Sequence, residues 1–363
     1  MLHSKKEENE MSFRNSTDAL RTSNDSDGPC LVLPAQDPLA RHSLSSSLDS
    51  VITSVSTLLR TPSPTPAALP SMQLLPAAAV PLPVSIVTKP DCDSLLKRID
   101  MVTPLPTFAQ RFALCSQSMK FENRTKNRYD NVFPTDKHLV KVSTGTGYIN
   151  ANQFKDLIIT QGPLKDTLED FWVMLFEQKV SNLICLTNHV EQKEKTFPYW
   201  MPIKDQLLFE SEVVQVMLIK IPEVVIHSLQ GGNQSVRKQV FAITIKGNTV
   251  TVQHWHYINW MDHSACDPQI LVALFEKLIA ESVQTKCTVH CSAGLGRAGT
   301  FGVLYSAIMS YLKTRIAPQE VDISKEIVDL RHLRPGSVMY PNQLELIFDT
   351  LELFIKRNPA PPK

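Results

Sequence analysis

Thr288-Val289-His290-Cys291-Ser292-Ala293-Gly294-Leu295-Gly296-Arg297-Ala298-Gly299-Thr300-Phe301 carries the most specific signal in the chain. A β-rich run, Thr288-Val289, leads into a loop with two glycines and leaves into an apolar helical pattern from Val303 to Leu312. Gly294 and Gly296 let the backbone curl until successive N–H groups converge on an anion. The helix that follows directs its N-terminal dipole at the same point. Arg297, separated from Cys291 by five residues, falls in the first helical turn and can grip two phosphate oxygens as a fork. The same positive surroundings favour the thiolate of Cys291, the form that attacks phosphorus and becomes a phosphocysteine. Two other readings compete: a buried structural cysteine, and a zinc site on Cys287, His290 and Cys291. Zinc would lack a fourth ligand nearby, and an arginine in the loop would repel the metal.

Working outward, helical spacing recurs at Leu271, Leu274, Phe275, Leu278 and Ile279, and again at Leu344, Ile347, Phe348, Leu351 and Phe354. Short β-rich runs lie at Leu183 to Leu186, Val213 to Ile219 and Val240 to Ile245, the last joined to Val250 to Trp255 across a turn at Gly247-Asn248. Strands and helices alternate without internal repeats, which predicts a single α/β domain of about 265 residues, over 92–357. A short proline-rich tail occupies 358–363.

Residues 1–91 read differently. Eleven of the 25 prolines fall in the first 90 residues, with serine runs and a single aromatic, Phe13. Such a segment buries too little apolar surface to offset the ordering of its backbone, so a disordered leader is expected. Its three Ser/Thr-Pro pairs, from Thr61 to Pro66, suit either phosphorylation or a stiff spacer. A helix for a leader-bound protein partner, on Leu44, Leu48, Val51, Ile52, Val55 and Leu59, is weakened by intervening serines and β-branched residues.

Composition excludes several classes. With 37 basic and 36 acidic residues, the chain lacks the basic excess of a nucleic-acid or anionic-membrane protein. The most apolar leader segment, Leu74 to Val87, is short and broken by Pro76, Pro81 and Pro83, whereas a span needs about 20 apolar residues. No apolar stretch follows the first lysines, so no signal peptide is expected. Seven scattered cysteines do not make a disulfide framework. The expectation is a cytoplasmic protein with reduced thiols.

The loop at Cys291 closely resembles the C-x5-R signature of the protein tyrosine phosphatases, in their non-receptor form, and the resemblance extends over about residues 95–356. Lys126-Asn127-Arg128-Tyr129 resembles the loop whose tyrosine walls the pocket. Tyr148-Ile149-Asn150-Ala151-Asn152, Thr160-Gln161-Gly162-Pro163 and Asp170-Phe171-Trp172 resemble core motifs of the family. His254 to Asp262 resembles the run into its mobile acid loop. Leu330-Arg331, Arg334-Pro335-Gly336 and Gln343 resemble its closing segment. The fold this implies is a twisted mixed sheet flanked by helices.

The resemblance also implies roles. Cys291 would be the nucleophile, Arg297 the phosphate clamp and Asp262 the general acid that protonates the leaving oxygen. Ser292, Ala293, Gly294, Leu295 and Gly296 would cradle the phosphate above His290. Tyr129 would stack on the phosphotyrosine ring and set a depth that phosphoserine cannot reach. Glu191 resembles the acid that orients the cradle arginine, and Lys195 the lysine that meets the acid loop. The local spacing is one residue short for both, and a solvated charged turn competes with those roles. His254 and His256 share one strand face, where a structural role is expected rather than a metal.

Three positions depart from the family pattern. Ala298 stands where a serine or threonine usually stabilises the departing thiolate. Met339 stands where a glutamine usually positions the attacking water, although Gln343 matches a second glutamine of that motif. Met261 replaces the proline of the acid loop. The expected enzyme hydrolyses phosphotyrosine in proteins without metal or organic cofactor, with a slow second step. The alternatives are a phosphotyrosine-binding pseudophosphatase or scaffold with little turnover, and a dual-specificity or lipid phosphatase sharing only the cradle.

Overall fold

The structure, a computed structural model, describes residues 89–187, 195–228, 232–281, 286–314 and 322–359. The leader expected over 1–91, apart from its last three positions, lies outside the described residues, as do Glu191 and the last four residues of the tail.

The described chain opens with helix α1 (Cys92–Val102) and three short helices, α2 (Phe108–Leu114), α3 (Ser116–Met119) and α4 (Phe121–Arg124). Strands β1 (Leu139–Lys141), β2 (Tyr148–Phe154) and β3 (Leu157–Thr160) follow, then α5 (Leu168–Glu177) and β4 (Val180–Cys185). Next come β5 (Leu207–Glu210), β6 (Val214–His227), β7 (Ser235–Ile245), β8 (Asn248–Ile258), α6 (Pro268–Glu281) and β9 (Lys286–His290). The chain closes with α7 (Arg297–Thr314), α8 (Ile323–Arg331) and α9 (Pro341–Arg357). The nine strands form one mixed sheet in the order β1-β2-β3-β9-β4-β8-β7-β6-β5.

Alternation along the strands sorts side chains to two faces, as a two-residue period requires. Leu157 and Ile159 join one apolar cluster with α1, α6, α7 and α9, while Ile158 joins a second with α5. Ile184 and its neighbours Leu183 and Cys185 divide in the same way. Two cores, one per face, make this the helix-flanked mixed sheet expected from the sequence.

The expected helices at 271–279, 303–312 and 344–354 fall within α6, α7 and α9. The β7–β8 hairpin differs by one residue. Its turn is Lys246-Gly247, both with positive φ (48° and 76°), and Asn248 already pairs with Ile245. Two positive φ values at the centre are what a two-residue turn needs to match strand twist.

Strand direction decides where function can lie. β3, β4 and β8 all run parallel to β9 or to its neighbour. The carboxyl ends of β3, β9, β4 and β8 therefore open on one edge of the sheet, where ligands of α/β folds bind. Thr160-Gln161-Gly162, the Cys291 loop, Lys195 and the Asn259–His263 segment all follow those ends.

Candidate active site

The Cys291 loop is defined by where its carbonyls go. His290 Nδ1 lies 3.1 Å from the Cys291 carbonyl, and the Gly162 amide donates to Ser292 O at 2.8 Å. Arg334 Nη2 donates to Ala293 O and Arg334 Nε to Gly294 O, each at 2.9 Å. The Gly299 amide donates to Leu295 O at 3.1 Å and the Thr300 amide to Gly296 O at 2.9 Å. A trans peptide sets each following N–H opposite its carbonyl. Six carbonyls held outward thus turn the N–H groups of Ser292 through Arg297 toward the interior of the loop, where an anion would sit.

Glycine is required at Gly294, whereas at Gly296 a side chain would push aside the amide of Gln343. Gly294 has φ 74°, and a Cβ there would lie 2.5 Å from Thr160 O and 2.7 Å from Arg334 Nη2. A Cβ on Gly296 would come within 2.8 Å of Gln343 Nε2.

Cys291 is buried at the base of the loop. Beneath it runs a chain of neutral donors. Gln239 Nε2 donates to His254 Nδ1 at 2.9 Å, which places the His254 proton on Nε2, 3.0 Å from the Tyr199 hydroxyl. Tyr199 can then donate to His290 Nε2 at 2.6 Å, leaving the Nδ1 proton for the Cys291 carbonyl. Burial pulls His290 down to about 3 and His254 well below its usual value, so both rings are neutral at physiological pH. Since both ring nitrogens of His290 are engaged, the zinc reading of Cys287, His290 and Cys291 has no imidazole to use.

Arg297 is buried, and its Nη1 donates to Trp260 O at 2.9 Å. Its Nη2 lies 3.2 Å from Asp262 Oδ1. Lys195 Nζ stands 3.5 Å from Asp262 Oδ2, and the Lys195 carbonyl accepts from Ser292 Oγ at 2.9 Å. With that hydroxyl proton committed, Tyr129 donates to Ser292 Oγ at 2.7 Å. The Tyr129 loop is fixed from behind: the Arg128 amide donates to Gln161 Oε1 at 2.9 Å, and Gln161 Nε2 donates to Lys126 O at 2.8 Å. Lys126 in turn pairs with the nearly buried Asp170 at 2.8 Å.

The structure therefore gathers Tyr129, Lys195, Asp262, the Cys291 loop, Arg297 and Gln343 at one sheet edge, with His290 below; Glu191 lies outside the described residues. Gln343 accepts the Met339 amide on Oε1 at 3.0 Å and turns Nε2 toward Gly296. Ala298 is fully buried, and the nearest helical hydroxyl, Thr300, donates to Gly296 O at 3.0 Å. Thr300 is therefore committed to the helix and cannot replace the absent hydroxyl.

Two participants were not assigned in the sequence. Arg334 appeared there only within a motif, and Tyr199 not at all. Arg334 ties Ala293, Gly294, Asn150 and Asn152 together, and burial brings it down to about 10, which leaves it charged at physiological pH. Arg334-Pro335-Gly336 was the available signal, because an arginine beside a rigid turn is costly to bury unless it serves a polar centre.

A buried guanidinium, a ring of inward-turned amides and a buried thiol make a pocket suited to an anion. The protein-tyrosine phosphatase family model matches residues 123–352. The chain belongs to this family. It is 34% identical over 238 residues to receptor-type tyrosine-protein phosphatase eta of Gallus gallus, covering 61% of this chain and 16% of that relative. It is 29% identical over 243 residues to tyrosine-protein phosphatase non-receptor type 2 of Homo sapiens, covering 62% and 55%. The catalytic domain of human protein tyrosine phosphatase non-receptor type 18 superposes with a TM-score of 0.62 at 23% identity, over 72% of this chain and 95% of that one. The chain thus spans about a sixth of the receptor-type relative and about half of the non-receptor one. Among the described residues no helix is long and apolar enough to cross a membrane.

Proposed function

We propose that the chain hydrolyses phosphotyrosine in proteins through a phosphocysteine on Cys291. The observation that supports this best is the outward lock on the six loop carbonyls from Cys291 to Gly296. It pre-orients a ring of donors for a phosphoryl group before any substrate arrives, so no reorganisation is needed during reaction.

In this reading the phosphate settles in the loop, its charge met by backbone amides and the Arg297 guanidinium. The Cys291 sulfur attacks phosphorus as the P–O bond to the tyrosine breaks. Asp262, at the mouth of the loop between Arg297 and Lys195, delivers the proton to the leaving phenolate. Tyr129, braced on Ser292, flanks the ring and makes the site deep. Water then attacks phosphorus, inorganic phosphate leaves and the thiolate is regenerated. That second step lacks a hydroxyl at 298 and a glutamine at 339, so it is the slow one; Gln343 Nε2, facing Gly296, is the remaining amide near the attacking water. Lys195 steadies Asp262, and the cytosol supplies the reducing conditions that a thiolate nucleophile needs.

Rapid mixing with a chromogenic aryl phosphate tests this. A burst of phenol equal to the enzyme concentration, followed by slow turnover and accompanied by a trapped phosphocysteine, is the expected result; Cys291→Ser abolishes both phases. Linear turnover from the first cycle would remove the slow second step. Phosphotyrosine binding without any burst would make the protein a binder.

A further inference from the structure

The acid loop is fastened to the start of α9 through residues with no part in the mechanism above. Its backbone holds two non-glycine residues in the left-handed region, Asn259 at φ 65° and His263 at φ 58°. Such conformations persist where the surroundings over-determine them. Asn259 is tied on the β7 side, its Nδ2 donating to Asn233 O at 2.7 Å. His263 is tied on the other side. Asn342 Nδ2 donates to the His263 carbonyl at 3.0 Å. The His263 ring meets the Tyr340 ring edge to face, with centroids 5.0 Å apart and planes at 81°, the geometry that aromatic quadrupoles favour.

Between these anchors lie Trp260, whose carbonyl accepts from Arg297, and Asp262 itself. The His263 amide donates to Asp262 Oδ1 at 3.2 Å, so a shift of His263 is transmitted directly to the carboxyl group. Met261, which replaces the loop's usual proline, is 52% exposed and leaves the backbone without the rigidity that a fixed φ would supply. The loop is closed on itself instead, Ser264 Oγ donating to Met261 O at 2.7 Å and Trp260 Nε1 to Ser264 O at 3.0 Å, and the contact of His263 with Tyr340 and Asn342 ties that closed turn to α9.

We propose that His263, clasped by Tyr340 and Asn342, latches the acid loop to the start of α9 and is a positioning residue for Asp262. The proposal rests on the phosphatase reading. Opening the latch leaves the cradle intact but lowers the share of time that Asp262 spends over the leaving oxygen. Since a misplaced acid hurts most where the leaving group most needs protonation, the loss depends on the phenol.

The experiment is single-turnover phenol release by the full chain, with enzyme in excess. Phenyl phosphate and 2,4-dinitrophenyl phosphate serve as poor and good leaving groups. This readout precedes the slow second step and does not depend on it. His263→Ala and, independently, Asn342→Ala are expected to slow phenyl phosphate about tenfold while changing dinitrophenyl phosphate less than about twofold, with substrate affinity held. His263→Phe, which keeps a ring against Tyr340, restores most of the loss. Equal slowing of both substrates, or no change in either, overturns the latch while the phosphatase reading stands. Absence of phenol release from the unmodified chain overturns both. Thermal melts of the two alanine variants separate latch loss from unfolding: a variant that melts early and slows both substrates alike counts against the latch.

Discussion

The cradle and the acid loop face each other across one site but are built on opposite terms. Cradle backbone is held by partners from the β3 end, α7 and the turn after α8, and Cys291, Ser292, Leu295 and Arg297 are all buried. In the acid loop, Met261 is half exposed and the Asp262 side chain retains 27% exposure. The loop is held by its own turn at Ser264, by Arg297 and Lys195 at Asp262, and by the anchors at Asn259 and His263. In the proposed mechanism the anion site is set before substrate binds, and the acid sits on the more exposed of the two parts. Preorganisation serves charge that must be met at once, whereas mobility serves a group that must let substrate in and product out.

If that contrast holds, damage to the acid loop costs rate without stability, and damage to the cradle costs both. If Asp262 is the acid proposed above, Asp262→Asn is expected to slow single-turnover release from phenyl phosphate by about 10²–10⁴-fold, with only a small change in melting temperature, because it removes the proton donor and the charge facing Arg297 and Lys195 but keeps the size and shape of the side chain. Arg334→Met sits on the other side of the comparison. It strips donors from Ala293 O, Gly294 O and the Asn150 and Asn152 side chains. Buried acceptors left unpaired cost about 1–3 kcal/mol each, so a urea titration should show a loss of several kcal/mol together with lost activity. An Arg334→Met variant that keeps both its stability and its activity would mean that the cradle does not depend on this brace.

A smaller effect sharpens the view of the second step. Ala298→Ser restores a hydroxyl at the foot of the cradle and is expected to raise steady-state turnover about tenfold while leaving burst amplitude unchanged. An unchanged steady state would shift the slow step to product release. A further effect is on stability against pH. His290 stays neutral in the fold down to about 3, whereas an unfolded chain protonates it near 6.5. The unfolded state therefore binds more protons below 6.5, and stability falls by about 1.4 kcal/mol per pH unit from this residue. His254 acts in the same direction. Urea midpoints at pH 7.5 and 5.5 would reveal this, and equal midpoints would contradict the neutral chain beneath Cys291.

Much of this was legible in the chain before any coordinates. Cys291 and Arg297 lie in one loop, so local spacing encodes their meeting. Asp262 and Tyr129 are distant in sequence, and the resemblance of their surrounding runs brought them to the site. What stayed hidden depends on long-range packing. Arg334 reaches Asn150 across 184 residues, and no periodicity encodes that reach. The Gln239, His254, Tyr199 and His290 chain draws on three strands and a loop, and its members looked like ordinary buried residues. The contact of His263 with Tyr340 and Asn342 was also invisible, because those residues sit beside Gln343 without sharing its motif and meet His263 only through the fold. The hairpin turn was misplaced by one residue for a local reason: Lys246 adopts a positive φ that its identity does not advertise.

Arg334 has one more consequence, and it concerns time. The guanidinium that shapes the cradle lies near the end of the domain, while the side chains it joins lie near its beginning. As the chain emerges from the ribosome, Cys291 is made before Arg334, and the amide ring cannot set until Arg334 has arrived and docked. Closure of so long a loop is among the slower events of folding. A nascent or C-terminally truncated chain would thus carry the nucleophile without the cradle, and the first appearance of phosphate-binding ability would report that folding is complete.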